Sequence, residues 1–223
     1  GYKLFHEKYL QNLRSGTDNI RSNVVSWTRK MVLRDSRFYL LLPAIVATPM
    51  VATAFFFHHL NIAEYKQWDA SWITGNYLLY AGTSIFTNVI AGSFIDRFSA
   101  RKVFQYTMPP LALAALTIGL AGNHLWVLLY MFLLGLHVGF SQTSGSALMP
   151  ELYGVEHLGS VKSMVSVLAV VSSAVGPVII GMLIDRGLSI QTICILIASY
   201  IVFANILLVV ALRLVPSSTE QQN

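Results

Sequence analysis

GSFIDR at residues 92–97 and GMLIDR at residues 181–186 each close a long apolar run with a glycine, an aspartate and an arginine in the same spacing. The runs they close decide the fold class. Between short charged breaks the chain carries apolar stretches of roughly 18–25 residues, the length that crosses a bilayer core. The chain has 223 residues, of which 55% are hydrophobic and 11% charged. A soluble domain carries about 25% charged residues. Composition and patterning together predict an all-α integral membrane protein.

Six spans are expected, near residues 38–57, 71–95, 103–121, 125–149, 161–184 and 190–212. Backbone in hydrocarbon must satisfy its own hydrogen bonds, which uninterrupted helices do, and no period-2 pattern supports a barrel. Residues 1–36 are polar and basic, with helix expected near SNVVSWTRKMV, and the tail from Pro216 is expected to be disordered. With both termini inside, thirteen of the fifteen Lys and Arg residues fall on the inner side and only Lys66 and Arg186 outside. The positive-inside bias therefore sets the orientation. It also explains the net charge of +5 without nucleic acid. The single Cys194 excludes an internal disulfide. The N-terminus carries no cleavable signal pattern, and the chain opens on Gly1, as a trimmed or partial chain would.

The two echoed motifs then fall at opposite membrane faces, each ending the second helix of a triplet. Two inverted three-helix repeats place them so, and such repeats build each half of a large transporter fold. Chance is the competing reading, because the shared pattern is short.

Gly92-x-x-x-Asp96-Arg97-x-x-x-Arg101-Lys102, in a short inside loop between a second and a third span, resembles the cytoplasmic signature of the major facilitator superfamily. RDSRFYLLLP, FFFHHLNIAEYKQW and PELYGVEHLGSVKS resemble bacterial members, and SSAVGPVIIGMLIDRG is similar to their eleventh helix. The resemblance covers about Arg34 to Leu214 and implies the C-terminal six-helix half of a twelve-helix transporter. Residues 1–36 would hold the cytoplasmic linker between halves, 37–214 the bundle and 215–223 a cytoplasmic tail. It implies alternating access between two halves in a bacterial inner membrane. Spans one, two, four and five would line a midplane site, and the loop cluster would latch the inner face shut. The expected partners are the N-terminal half, membrane lipids and a small-molecule substrate. Three departures stand out. Ser99 takes the place of a turn glycine, so the turn is expected to be looser. Ala100 interrupts the basic run. Span two lacks the charged pair of the monocarboxylate branch, which argues against a lactate-like substrate.

Ionisable groups inside spans mark function, and here only His137 lies near mid-span, at helical spacing from Ser141, Ser144 and Gly145. It reads either as a group that binds substrate or a coupling proton, or as a neutral histidine bonded to a neighbouring helix. Gln142 and Thr143 follow toward the inside. Asn76, Tyr80, Ser84 and Asn88 form an i, i+4 polar stripe on span two, beside Tyr77 and Thr83. A cavity wall and an interhelical seam both predict it. Thr53 and Phe57 are candidates on span one. His58 and His59 read as residues of the outer interface, because adjacent helical side chains diverge by about 100° and suit a shared metal poorly. Trp68 and Trp72 suit an aromatic belt. Gly135, Gly139, Gly176 and Gly181 permit close helix approach, and Pro177, Pro43 and Pro49 permit kinks. Glu151 and Glu156 read as helix caps in an inside loop.

No phosphate loop, zinc-helix motif or Ser-His-Asp set is present, and no cofactor or metal is expected. Proton or sodium coupling stays open. A membrane-embedded enzyme would need several groups converging at the depth of His137. A six-span scaffold or homo-oligomeric channel is the other alternative.

Overall fold

A computed structural model describes residues 27–214. The cations Lys3, Lys8, Arg14 and Arg21 and the tail from Pro216 lie outside the described residues. Of the helix expected near 22–32, the described part is Arg29–Val32.

Six helical spans follow, all long and apolar enough to cross a membrane: Ser36–Tyr65, Ala70–Phe98, Ala100–Leu120, Trp126–Tyr153, Leu158–Asp185 and Ile190–Arg213. No strand occurs among the described residues. Span one is N-capped by Asp35, whose carboxylate accepts from Arg37 N at 3.0 Å. It runs two turns past the expected end, through HHLNIAEY, since His58, His59, Ile62 and Ala63 on one face of that stretch are buried in the bundle. Two spans are broken. In span two the segments Ala70–Gly75 and Tyr77–Phe98 meet at Asn76, whose side chain donates to Trp72 O at 2.7 Å. In span three Pro109 and Pro110 lack N–H groups, so the carbonyls of Gln105 and Tyr106 lose their helical donors. The span divides there into Ala100–Gln105 and Met108–Leu120.

The largest pairings are span two on span four, span three on span four and span five on span one. Next come span three with span six and span six with span one. This pattern maps onto itself when every span is advanced by three. The helix ends show that the repeat is inverted. At one end Trp27 N donates to Tyr153 O at 2.8 Å, and Ala100 N donates to the Glu151 carboxylate at 2.8 Å. At the other, Tyr65 Oη donates to Gln191 Oε1 at 3.0 Å and Trp72 Nε1 to His124 O at 2.9 Å. Lys66 Nζ there closes the C-terminus of span three, donating to Gly119 O at 2.9 Å and Ala121 O at 2.7 Å. Partial burial holds the Lys66 ammonium below its ordinary pKa. Spans one and four start at opposite ends, so GSFIDR and GMLIDR also end at opposite ends. We call the end with Arg97, Arg101, Lys102, Lys162 and Arg213 the basic end.

Glycines set the closest crossings. A Cβ on Gly135 would stand 2.7 Å from Tyr80 O, and one on Gly139 would stand 2.5 Å from Ser84 O. Span four therefore lies directly on the backbone of span two. Gly176 does the same against Met50 O, while Gly119 leaves room for the Cys194 side chain. Pro177 sits beside Gly176 in span five, as Pro43 and Pro49 sit in span one.

The turn after span two is not looser for lack of glycine. Ser99 itself takes φ 77° and ψ 153°, a region that is essentially glycine's alone and costs of order 1–3 kcal/mol for other residues. Packing on either side fixes it, since Ser99 N bonds Ile95 O at 2.8 Å and Ala100 N is held by Glu151. Ser99→Gly is expected to raise stability by about 1 kcal/mol, read as a higher melting temperature in detergent.

Candidate functional site

A cavity of about 410 Å³ opens toward the basic end between spans one, three, four and five. Its polar lining is Thr48 from span one, Ser141, Gln142 and Ser146 from span four, and Lys162 and Ser166 from span five. Ile45, Phe104, Met149 and Val165 supply the apolar part. Gln142, Ser146 and Ser166 are exposed, so the cavity opens on the face that these six spans leave uncovered. A shallower hollow shares Gln142 and Ser146 and reaches Asn88 of span two, which extends the polar surface across the bundle. A larger hollow of about 520 Å³ lies between spans two, three and four. Its lining is mainly apolar, from Phe94, Phe98, Val103, Pro110, Leu136 and Phe140, with Lys102, Tyr106 and Thr107 beside them, and none of it comes from spans one and five. Its walls carry little chemistry, so the site belongs in the polar cavity.

His137 is fully buried and touches this cavity only through Thr48. Its Nδ1 lies 2.6 Å from Thr107 O, and its Nε2 3.0 Å from Thr48 Oγ1. A carbonyl only accepts, so Nδ1 carries the proton, and in the neutral ring Nε2 accepts the Thr48 hydroxyl. The imidazole thus joins span four to spans three and one. Ser141 donates to Val138 O at 3.2 Å and Ser144 is buried against its own helix at Phe140 O. Of the residues sharing a face with His137, Ser141 and Gly145 line the cavity and Ser144 does not.

The span-two stripe divides by register. Buried Thr87, one position from the expected row, sends its hydroxyl to Thr83 O at 2.8 Å and to Gly135 O at 3.3 Å. Asn88 Oδ1 accepts from Thr143 Oγ1 at 2.9 Å. Those residues are a seam with span four. Ser84 bonds its own helix at Ala81 O, 3.2 Å away, and Asn76 caps the helix break. Tyr80 packs edge-on against Phe56 with centroids 4.9 Å apart. Thr53 and Phe57 stay exposed on span one, between Phe56, which meets span two, and Met50, which meets span five.

His58 and His59 are buried and do not face the interface. The extension of span one by two turns carries them into the bundle. Their divergence sends them to different helices. His58 Nε2 donates to Pro177 O at 2.9 Å in span five. His59 bonds Tyr77 Oη at 2.9 Å in span two and Tyr130 Oη at 2.6 Å in span four.

At the basic end the cluster separates into two parts. Arg101 pairs with Glu151 at 3.2 Å, and the same carboxylate accepts from Ala100 N. Glu151 therefore lies in the last turn of span four and caps the helix of another span, rather than standing in a loop. Asp96 and Arg97 are exposed, and Asp96 makes no hydrogen bond or ion pair among the described residues. The Arg97 guanidinium lies 5.3 Å from the Phe98 ring centroid. Lys102 is exposed beside the apolar hollow, and Gly92 has open space around it. A Cβ on Gly181 would stand 3.8 Å from the His58 ring.

Sequence reasoning missed Thr48, Ser146, Lys162 and Ser166 as lining residues. A lone threonine in an apolar run gives no signal. Ser146 falls i+4 from Gln142, a spacing that could have been read.

A family model described as the Major Facilitator Superfamily matches residues 38–223. A relative, the tetracenomycin C resistance and export protein of Streptomyces glaucescens, is 31% identical over 118 residues. That alignment takes in 53% of this chain and only 21% of the relative's length.

Proposed function

The chain belongs to the major facilitator superfamily, and from that premise we propose that it is the C-terminal six-helix half of a transporter that moves a small solute by alternating access. It is an integral membrane protein with six helices of spanning length. The observation that carries the proposal is the polar cavity of Thr48, Ser141, Gln142, Ser146 and Ser166. It stands on an uncovered face of spans that hold no Asp, Glu, Lys or Arg away from their ends. Polar surface inside hydrocarbon must face protein or water, and a second six-helix bundle enclosing a watery path supplies both.

In this reading residues 1–36 include the cytoplasmic linker, and 215–223 form a cytoplasmic tail. The basic end faces the cytoplasm of a bacterial inner membrane, an orientation supported by the positive-inside bias of thirteen of fifteen cations. Asp96 and Arg97 reach the N-terminal half and hold the inner face closed in one state. Any charge that couples transport to protons or sodium belongs to that other half. The name of the Streptomyces glaucescens relative, a resistance and export protein, favours export as the direction of transport.

The test is accumulation in bacteria that express the full-length protein. Cells with the intact transporter are expected to hold at least about tenfold less of an exported solute, with tetracenomycin C included in the panel. Gln142→Leu is expected to restore accumulation. Equal accumulation of every compound, from a protein shown to be folded and inserted, would favour a six-span scaffold instead.

A further inference from the structure

We infer that the basic-end cavity binds the anionic group of an amphipathic cargo, with Lys162 as its charge contact and Thr48 as a hydrogen-bond acceptor. This deepens the transport reading and rests on it. Lys162 is the one charged residue lining the cavity. Its Nζ donates to Ser146 Oγ at 3.1 Å, and no carboxylate pairs with it among the described residues. At the same end Arg101 pairs with Glu151 and Arg37 with Asp35, whereas Arg97 and Lys102, which have no ion pair among the described residues, lie outside this cavity. An ammonium has three donors, and Ser146 takes one. Ser146 accepts that bond, so its own proton remains for the same ligand. The half-buried ammonium stands beside Ile45, Phe104, Met149 and Val165 with no carboxylate against it among the described residues. An anion on an apolar frame supplies the missing charge and covers the hydrocarbon.

The other wall has the opposite polarity. His137 spends its Nδ1 proton on Thr107 O, so its Nε2 takes the Thr48 proton. Thr48 then turns only lone pairs to the cavity. Ser141 has likewise given its proton to Val138 O. A cargo that fits carries a carboxylate, sulfonate or phosphate at one end and a hydroxyl or N–H farther along. A cation that served only to orient the protein in the membrane would show no preference between such a ligand and its uncharged analogue.

The test uses the full-length protein in phosphatidylcholine nanodiscs. One probe is anilinonaphthalene sulfonate, and the other is phenylnaphthylamine, the same rings and N–H without the sulfonate. Saturable, protein-dependent fluorescence is the readout. Lys162→Gln is expected to weaken the sulfonate by about tenfold and leave the uncharged probe unchanged, and Lys162→Arg to retain both. Thr48→Val is expected to weaken both probes alike, with Thr48→Ser restoring them. The inference is overturned if the wild type shows no saturable sulfonate signal, or if Lys162→Gln changes neither probe or both equally. It is also overturned if phosphatidylglycerol in the disc displaces the sulfonate, which would make the cavity a headgroup seat. A protein that lowers accumulation in cells but fails here loses only the anion assignment. One that binds the sulfonate but exports nothing keeps the site and loses the transport reading.

Discussion

Leucine at Gly139 is expected to part span four from span two and to leave little folded protein. A Cβ at this position would meet Ser84 O at 2.5 Å and Asn88 N at 2.9 Å. Both are backbone atoms in a helix, so neither can rotate aside. Alanine already demands that the helices separate, at a cost of about 1–3 kcal/mol. Leucine adds three more carbons in the same gap. The separation also breaks the hydrogen bond from Thr87 to Gly135 O and that from Thr143 to Asn88. In a membrane close van der Waals packing drives helix association, since lipid is as apolar as the side chains. The lost contact therefore has no hydrophobic compensation. Melting in detergent, followed by size-exclusion chromatography, reads the effect. Gly82→Ala is the control: nothing lies within 4 Å of that position, so stability should change by no more than about 0.5 kcal/mol. Equal losses at both sites would refute the crossing.

Asparagine at Asp96 and alanine at Glu151 should fail in opposite ways. Asp96 is exposed and unpaired among the described residues, so Asp96→Asn should leave stability within about 0.5 kcal/mol. Its proposed partner lies in the other half, so export should slow by about tenfold, equivalent to about 1.4 kcal/mol on the barrier. Glu151 instead serves this half, accepting from Ala100 N and pairing with Arg101. Removing its carboxylate leaves the Ala100 N–H without its acceptor and the Arg101 guanidinium with only the backbone Glu151 O, at about 1–3 kcal/mol. Glu151→Ala should therefore lower the melting temperature first, and transport as a consequence. Thermal melts and accumulation assays on both variants separate the roles. A destabilised Asp96→Asn protein would show that its carboxylate is bound within the six spans.

Much of the architecture was legible because hydrocarbon is a demanding solvent. Runs of Leu, Val, Ile and Ala of bilayer length admit only helices, and the breaks between them carry nearly all the charge. The echo of GSFIDR and GMLIDR exposed the inverted repeat before any pairing was known. Errors came where local polarity was taken for depth. The pair His58–His59 reads as a helix end, yet the helix runs on to Tyr65 because each ring finds a partner on a neighbouring span. Ser99 reads as a relaxed turn, yet the helices on either side hold it in a glycine conformation.

The candidate site was legible only in part. Tyr80, Ser84, Gln142 and His137 were singled out by polarity in apolar surroundings. Polarity alone cannot divide a residue that faces a cavity from one that bonds the next helix, since both avoid lipid. Thr87 lies in the seam, Asn88 both bonds Thr143 across it and lines the shallow hollow, Gln142 lines the cavity, and His137 is a pin whose bonds dictate what Thr48 can offer.

The amino-acid sequence by itself determined the six helices, their alternating directions, the basic end and the family signature, because each follows from the solvent a segment must enter. The tertiary structure alone decided which glycines meet backbone, that Glu151 caps a foreign helix, and that Lys162 shares a cavity with Thr48. Those facts join residues more than one hundred positions apart in some cases, through helix rotations that no local pattern encodes.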